Sequence, residues 1–119
     1  MKKLLLVLAF LAVPGLASAA TLTWTDNANN ELGTKIEREA VACTAPDAFT
    51  EIATVGANVT TYLDSTTVVG NQYCYRVRAY NNSLLDGTGV IQYSGYSNKA
   101  GIAYPLAAPN AASGLGVAP

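Results

Sequence analysis

The sequence has no histidine, and only two cysteines, one tryptophan and one methionine among its 119 residues. Without histidine the commonest general base and metal ligand is missing. Neither a Ser-His-Asp nor a Cys-His pair can form. Charge is also sparse, at 13% of residues and a formal net of −1. No basic cluster stands out, which speaks against capture of nucleic acid and of an anionic membrane surface. Glu37 and Glu39 are the one paired set of carboxylates, and they are expected at solvent beside arginines. We therefore expect no enzyme activity, no cofactor and no metal centre. The oxygen-rich loop Asp26 to Glu31 lacks the spacing of an EF-hand and reads as side-chain-capped turns. Asn58-Val59-Thr60 and Asn81-Asn82-Ser83 fit a glycosylation sequon, but the bacterial type of the leader makes both read as coincidence.

What is present is organised from the start of the chain. Met1-Lys2-Lys3 is basic, Leu4 to Val13 is continuously apolar, Pro14-Gly15 breaks the run, and Ala17-Ser18-Ala19 supplies small residues for a peptidase. This reads as a secretory signal peptide over 1–19. The run is too short for a membrane span of about 20 residues. Cleavage after Ala19 leaves 100 residues with five basic and eight acidic side chains, a size that suits one domain. The expected location is the periplasm, the cell surface or the medium. Two cysteines in an exported chain, Cys43 and Cys74, read as one disulfide rather than two free thiols.

The clearest local pattern is Tyr73 to Asn81. Tyr73, Tyr75, Val77 and Ala79 fall on one face of an extended chain, and Cys74, Arg76, Arg78 and Tyr80 on the other. That is a half-buried strand. Leu22 and Trp24 alternate in an earlier strand. Ile36 faces inward in a second, which leaves Arg38 pointing inward at a sheet rim. Phe49 and Ile52 are oddly spaced, which suggests a bulge or an edge. Val68 or Val69 is expected to plug the core. Short strands, turn residues between them and no helical period define an all-β antiparallel sandwich.

Leu22-x-Trp24, Ile36-Glu37-Arg38, Thr61-Tyr62-x-Asp64, Gly70-x-x-Tyr73-x-Tyr75-Arg76-Val77-x-Ala79-x-Asn81 and Tyr96-Ser97-Asn98 together resemble a bacterial fibronectin type III domain over residues 20–104. The resemblance implies an immunoglobulin-like fold with strands B (21–25), C (35–42), C′ (49–55), E (59–63), F (72–81) and G (96–104). Trp24, Ile36, Tyr73, Tyr75 and Val77 would form its core. Tyr73 would be a corner residue bonded to the backbone of the preceding loop. Strands C and F would lie side by side. With Cys43 opposite Cys74, Glu39 would face Arg78 and Val41 would face Arg76.

The family begins with a strand A, and none precedes strand B here. The Pro/Ala/Gly-rich tail 105–119 resembles a linker plus a strand A, with Leu115 and Val117 alternating. Three readings stand beside one another. The chain is a fragment whose next domain starts in the tail; the tail is loose over an incomplete sandwich; or the tail is a donor strand that builds a surface filament. The resemblance implies a non-catalytic binding or spacer module in adhesion or polysaccharide interaction. Its partner would be an extracellular protein or polysaccharide, with self-association through the tail as the alternative. The binding loop is expected around Tyr80, Leu84, Leu85, Asp86, Tyr93 and Tyr96.

Overall fold

A computed structural model describes residues 4–12, 18–82, 89–104 and 113–118. Its eight strands are β1 (Leu5–Ala12), β2 (Ser18–Thr25), β3 (Gly33–Glu39), β4 (Thr50–Gly56), β5 (Thr61–Asp64), β6 (Gln72–Asn82), β7 (Ile91–Tyr93) and β8 (Ala100–Ala103). They form two antiparallel sheets, β1-β2-β5 and β4-β3-β6-β7, with β8 also paired to β6. The two sheets face each other as a sandwich. Leu22 and Trp24 from one sheet meet Ile36, Tyr75, Val77 and Ala79 from the other in one buried cluster. Among the described residues, no helix is long and apolar enough to cross a membrane.

β6 is the axis of the larger sheet. Its period-two pattern buries Tyr73, Tyr75, Val77 and Ala79 against the core. One edge pairs with β3 along its length. The other edge is shared, by β7 at Tyr80–Asn82 and by β8 at Gln72–Tyr75. Between them the chain arches away from β6, and two serines close the gap. Ser94 Oγ accepts from Ala79 N–H at 2.8 Å and Ser97 Oγ from Val77 N–H at 3.0 Å. Their own N–H groups donate to the Ala79 and Val77 carbonyls. Buried backbone groups that a continuous strand would satisfy are thus satisfied by hydroxyls. Tyr73 Oη accepts the Val68 N–H at 2.9 Å, which ties the β5–β6 loop to β6.

The structure departs from the sequence reading at several places. The sequence reading keeps residues 1–19 out of the fold and leaves no strand ahead of Thr21. In the structure β1 lies along β2 from Leu5↔Thr25 to Ala12↔Ser18, and Leu4 and Leu6 are core residues at 1% and 3% exposure. The physical reason is that an apolar run of this kind suits a peptidase-processed leader and a sandwich strand equally well, and the β2 edge needs a partner. The β3–β6 register is also displaced. Glu37 faces Arg76 and Glu39 faces Cys74, because β3 ends at Glu39 and Cys43 returns to Cys74 from the loop beyond. The disulfide spans 5.1 Å between Cα atoms. Val68 is exposed and Val69 half-buried, and Thr67 is the buried residue of that loop. Its Oγ1 lies 3.1 Å from Ser18 Oγ. Residues 91–93, expected in a loop, form β7. Strand G is confined to Ala100–Ala103.

The oddly spaced Phe49 and Ile52 do mark both an edge and a bulge. β4 is the outer strand of its sheet, and its register with β3 slips between Ile36 and Glu37.

Candidate functional site

The outer face of the larger sheet carries a stack of cations and rings. Even-numbered β6 residues point there, which sets Arg76 and Arg78 in a column; Lys35 and Glu37 of β3 stand across from them. The arch between β7 and β8 lays Tyr96 over this column. The Arg76 guanidinium carbon lies 3.7 Å from the Tyr96 ring centroid and 4.1 Å from that of Phe49. Arg78 lies 3.7 Å from Tyr93 and 4.6 Å from Tyr96. Lys35 Nζ caps the Tyr80 ring at 4.5 Å, and Lys99 Nζ lies 5.6 Å from Phe49. The order along the face is Tyr93, Arg78, Tyr96, Arg76, Phe49, Lys99. Each sandwiched guanidinium gains from two ring faces at once, at about 0.5–2 kcal/mol per contact.

Glu37 is the counterion of this stack and is buried beneath it. Its Oε1 accepts from Arg76 Nε at 2.9 Å and from Nη2 at 2.8 Å. Its Oε2 accepts from Tyr96 Oη at 3.0 Å and lies 3.7 Å from Arg78 Nε. Burial and the bond to this carboxylate both raise the Tyr96 hydroxyl above its ordinary value. Asp47 extends the charge pattern at one end, 3.6 Å from Arg76 Nη1 and ion-paired to Lys99. Glu39 takes no part; its Oε2 accepts the Ala48 N–H at 2.8 Å and ties down the loop after β3. The expected Glu39–Arg78 partnership is therefore replaced by Glu37 serving both arginines.

A second polar cluster lies at the sheet rim, where Arg38 was expected to reach solvent. Arg38 Nη1 instead donates to Asp64 Oδ2 at 2.8 Å and to Thr66 Oγ1 at 2.7 Å. Asp64 is 1% exposed and also accepts from Tyr75 Oη at 2.6 Å, Thr66 N–H at 3.0 Å and Thr66 Oγ1 at 2.6 Å. Burial pushes its carboxyl upward, but these donors outweigh it and hold the group below its ordinary value. The same contact, with burial, pushes the Tyr75 hydroxyl far up. Asp64 joins β3, β5 and β6 across the two sheets. A sequence reading that places it at a loop start misses this role; only its position opposite an inward-pointing Arg38 hints at it.

The structure brings Tyr80, Tyr93 and Tyr96 together on one face, as a binding platform would need. Tyr80 and Tyr96, however, are spent on Lys35 and on the two arginines. Tyr93 stacks on Arg78 yet stays exposed, and it continues into exposed Val90 and Ile91. Leu84, Leu85 and Asp86 lie outside the described residues. Leu115 and Val117 are described and fully exposed. Among the described residues no group of three or more His, Cys, Asp or Glu could hold a metal ion. The surface thus offered for recognition is the apolar row Val90, Ile91 and Tyr93 at the end of the β6–β7 hairpin, on a rigidly stacked base.

No family model and no curated protein matches the sequence. Solved structures do match in fold. The pectate lyase PelI from Erwinia chrysanthemi in complex with tetragalacturonic acid superposes with a TM-score of 0.64 at 19% identity, covering 84% of this chain and 28% of that one. The pectate lyase Pel3 from Pectobacterium carotovorum gives 0.61 at 23% identity, over 96% of this chain and 29% of that one. The chain spans less than a third of the length of these enzymes, and at such identities the likeness is one of fold.

Proposed function

We propose that the chain is an exported, non-catalytic module of fibronectin type III type that binds an extracellular polysaccharide or protein through the β6–β7 end of its outer face. The observation that carries this reading is the contrast between that locked face and the exposed Val90-Ile91-x-Tyr93 row at its end. Exposed apolar and aromatic side chains on a rigid sheet are the ordinary means of recognition in such architectures. Two further points support it. The disulfide fits an oxidising compartment. The fold likeness covers a module-sized portion of two pectate lyases, one in complex with tetragalacturonic acid, so anionic polysaccharide is the first ligand class to try. Adhesion to a surface protein is the other member of the same reading.

The test is a retention assay of the purified chain on immobilised polygalacturonate, neutral polysaccharides and bacterial surface protein, beside a pectate-cleavage assay. Retention on one class, lost in Tyr93→Ala and Ile91→Ala while both variants stay folded at the assay temperature, supports the proposal. Retention indifferent to both substitutions, or measurable cleavage, overturns it.

A further inference from the structure

The β1 segment and the leader are the same residues, and the two roles exclude each other. The expected cleavage point between Ala19 and Ala20 lies inside β2. Ser18 and Ala20 are buried, and Ala20 is paired to Phe10 on one side and Asp64 on the other. A protease needs an accessible extended segment, so it cannot cut the folded chain here. Cleavage has to come before folding, and the chain that then folds has no β1.

What it has instead is an open seam. Removing β1 leaves β2 residues 20–25 with a free backbone edge. It uncovers the core depressions that Leu4 and Leu6 fill at an i, i+2 spacing, beside Leu22 and Trp24. It also frees Asn98, whose Oδ1 accepts from Leu6 N–H at 2.8 Å and whose Nδ2 donates to Leu6 O at 3.1 Å. That side chain is a clamp for one residue of a passing strand.

A segment that matches this seam is in the chain. Leu115 and Val117 have the same i, i+2 spacing and stand 97% and 94% exposed. Glycines flank Leu115, and Gly114, at φ +73°, holds a left-handed conformation that the lack of a Cβ permits and from which it can move to extended backbone. With Val117 in the Leu6 place, opposite Trp24, residues 116–118 lie along Thr25 to Thr23. We propose that in the processed protein this segment of a second copy fills the first part of the β1 place, with Leu115 and Val117 in the Leu4 and Leu6 positions and the Asn98 amide holding the Val117 backbone. The proposal rests on the reading of residues 1–19 as a cleaved leader.

Direction selects a second copy over self-insertion. β1 enters beside Thr25 and ends beside Ser18. The chain leaves β8 at Tyr104, whose backbone is bonded to Gly70 and Asn71, near Thr67 and so at the Ser18 end. Its own tail would have to run back the full strand length and reverse. Residues 105–112 reach about 28 Å when fully extended, and an eight-residue strand already spans about 27 Å. Nothing remains for the turn. Insertion into the next molecule has no such limit, and each recipient leaves its own tail free for another.

The test uses the whole gene product, exported by a bacterial host with its own leader. Intact mass gives the N-terminus, and size-exclusion chromatography with light scattering gives the assembly state. The expected result is an N-terminus at Ala20 and a series of oligomers, reduced to monomer by L115D/V117D. For the variant lacking 113–119, a synthetic 111–118 peptide should raise the thermal midpoint in a dose-dependent way. A monomeric parent protein beginning at Ala20 overturns the strand donation while leaving the leader reading intact. A mass retaining residues 1–19 overturns both. Oligomers unaffected by L115D/V117D, or a peptide without effect, also overturn the donation.

Discussion

Arg76 places two nitrogens on one oxygen of Glu37, Nε at 2.9 Å and Nη2 at 2.8 Å, and so leaves the second oxygen to the Tyr96 hydroxyl. A side-on fork using both oxygens would have excluded Tyr96 and with it the lid of the stack. One buried carboxylate is thereby shared by two guanidiniums and orients the ring that separates them.

Glu37→Gln should therefore cost more than an exposed ion pair. It leaves Arg76 and Arg78 facing each other across Tyr96 with no shared counterion. We expect a loss of about 2–3 kcal/mol in chemical denaturation, against the ~0–1 kcal/mol of a surface pair. Tyr96→Phe keeps the ring and loses only the hydroxyl, so its loss should be about 1 kcal/mol. Equal losses in the two variants would show that the hydroxyl bond, and not the charge, holds the stack.

Asp64 sets an acid limit on stability. Its folded value lies below the ordinary carboxylate value of 3.8. Its contribution is thus fully present above the unfolded value and is lost as pH falls through the folded one. The unfolding free energy should decline below pH 4. Asp64→Asn should lower it by about 3 kcal/mol at neutral pH, because Arg38 loses its partner, and should flatten that decline. An unchanged acid limb in the variant would place the titration elsewhere.

The disulfide closes a loop with a sequence separation of 31. Chain-entropy reasoning gives about 3–4 kcal/mol of stabilisation. Reduction should lower the thermal midpoint by more than 10 °C, at about 4–8 °C per kcal/mol for a domain of this size. The intact mass should rise by two hydrogens on reduction. Two thiols alkylated without reductant would remove the bond from the account.

Gly33 is required by the approach of β4. A Cβ there would lie 2.0 Å from the Val55 carbonyl oxygen and 3.1 Å from Tyr80 Cε1. Gly33→Ala should cost about 1–3 kcal/mol through displacement of backbone. Its register partner Gly56 has nothing within 4 Å of the same construction. Gly56→Ala should stay within about 0.5 kcal/mol of the parent. Matching midpoints for the two variants would contradict the close approach.

The alternation of Tyr73, Tyr75, Val77 and Ala79 was legible because one strand buries one face, a property local to the chain. The stack was only half legible. Arg76 and Arg78 could be put on the outer face by parity, but Tyr96 reaches them from an arch whose path depends on Ser94 and Ser97 bonding to β6, which no periodicity announces. The register expected from Cys43 lying opposite Cys74 fails because the disulfide closes from a returning loop and not from paired positions on two strands. Asp64 was missed because its partners come from β3, from β6 and from the loop after its own strand. The run Leu4 to Val13 had two sound physical readings, and composition alone does not choose between them.

The bulge in β4 has a consequence for the solution behaviour of the molecule. At the slip between Ile36↔Ala53 and Glu37↔Glu51, the outer strand of the five-stranded sheet carries an extra residue. Such an insertion bends the strand and interrupts its row of outward amides. A neighbouring molecule meeting this border finds no straight template to copy, and the flank is kept from sticking to its own kind at high concentration.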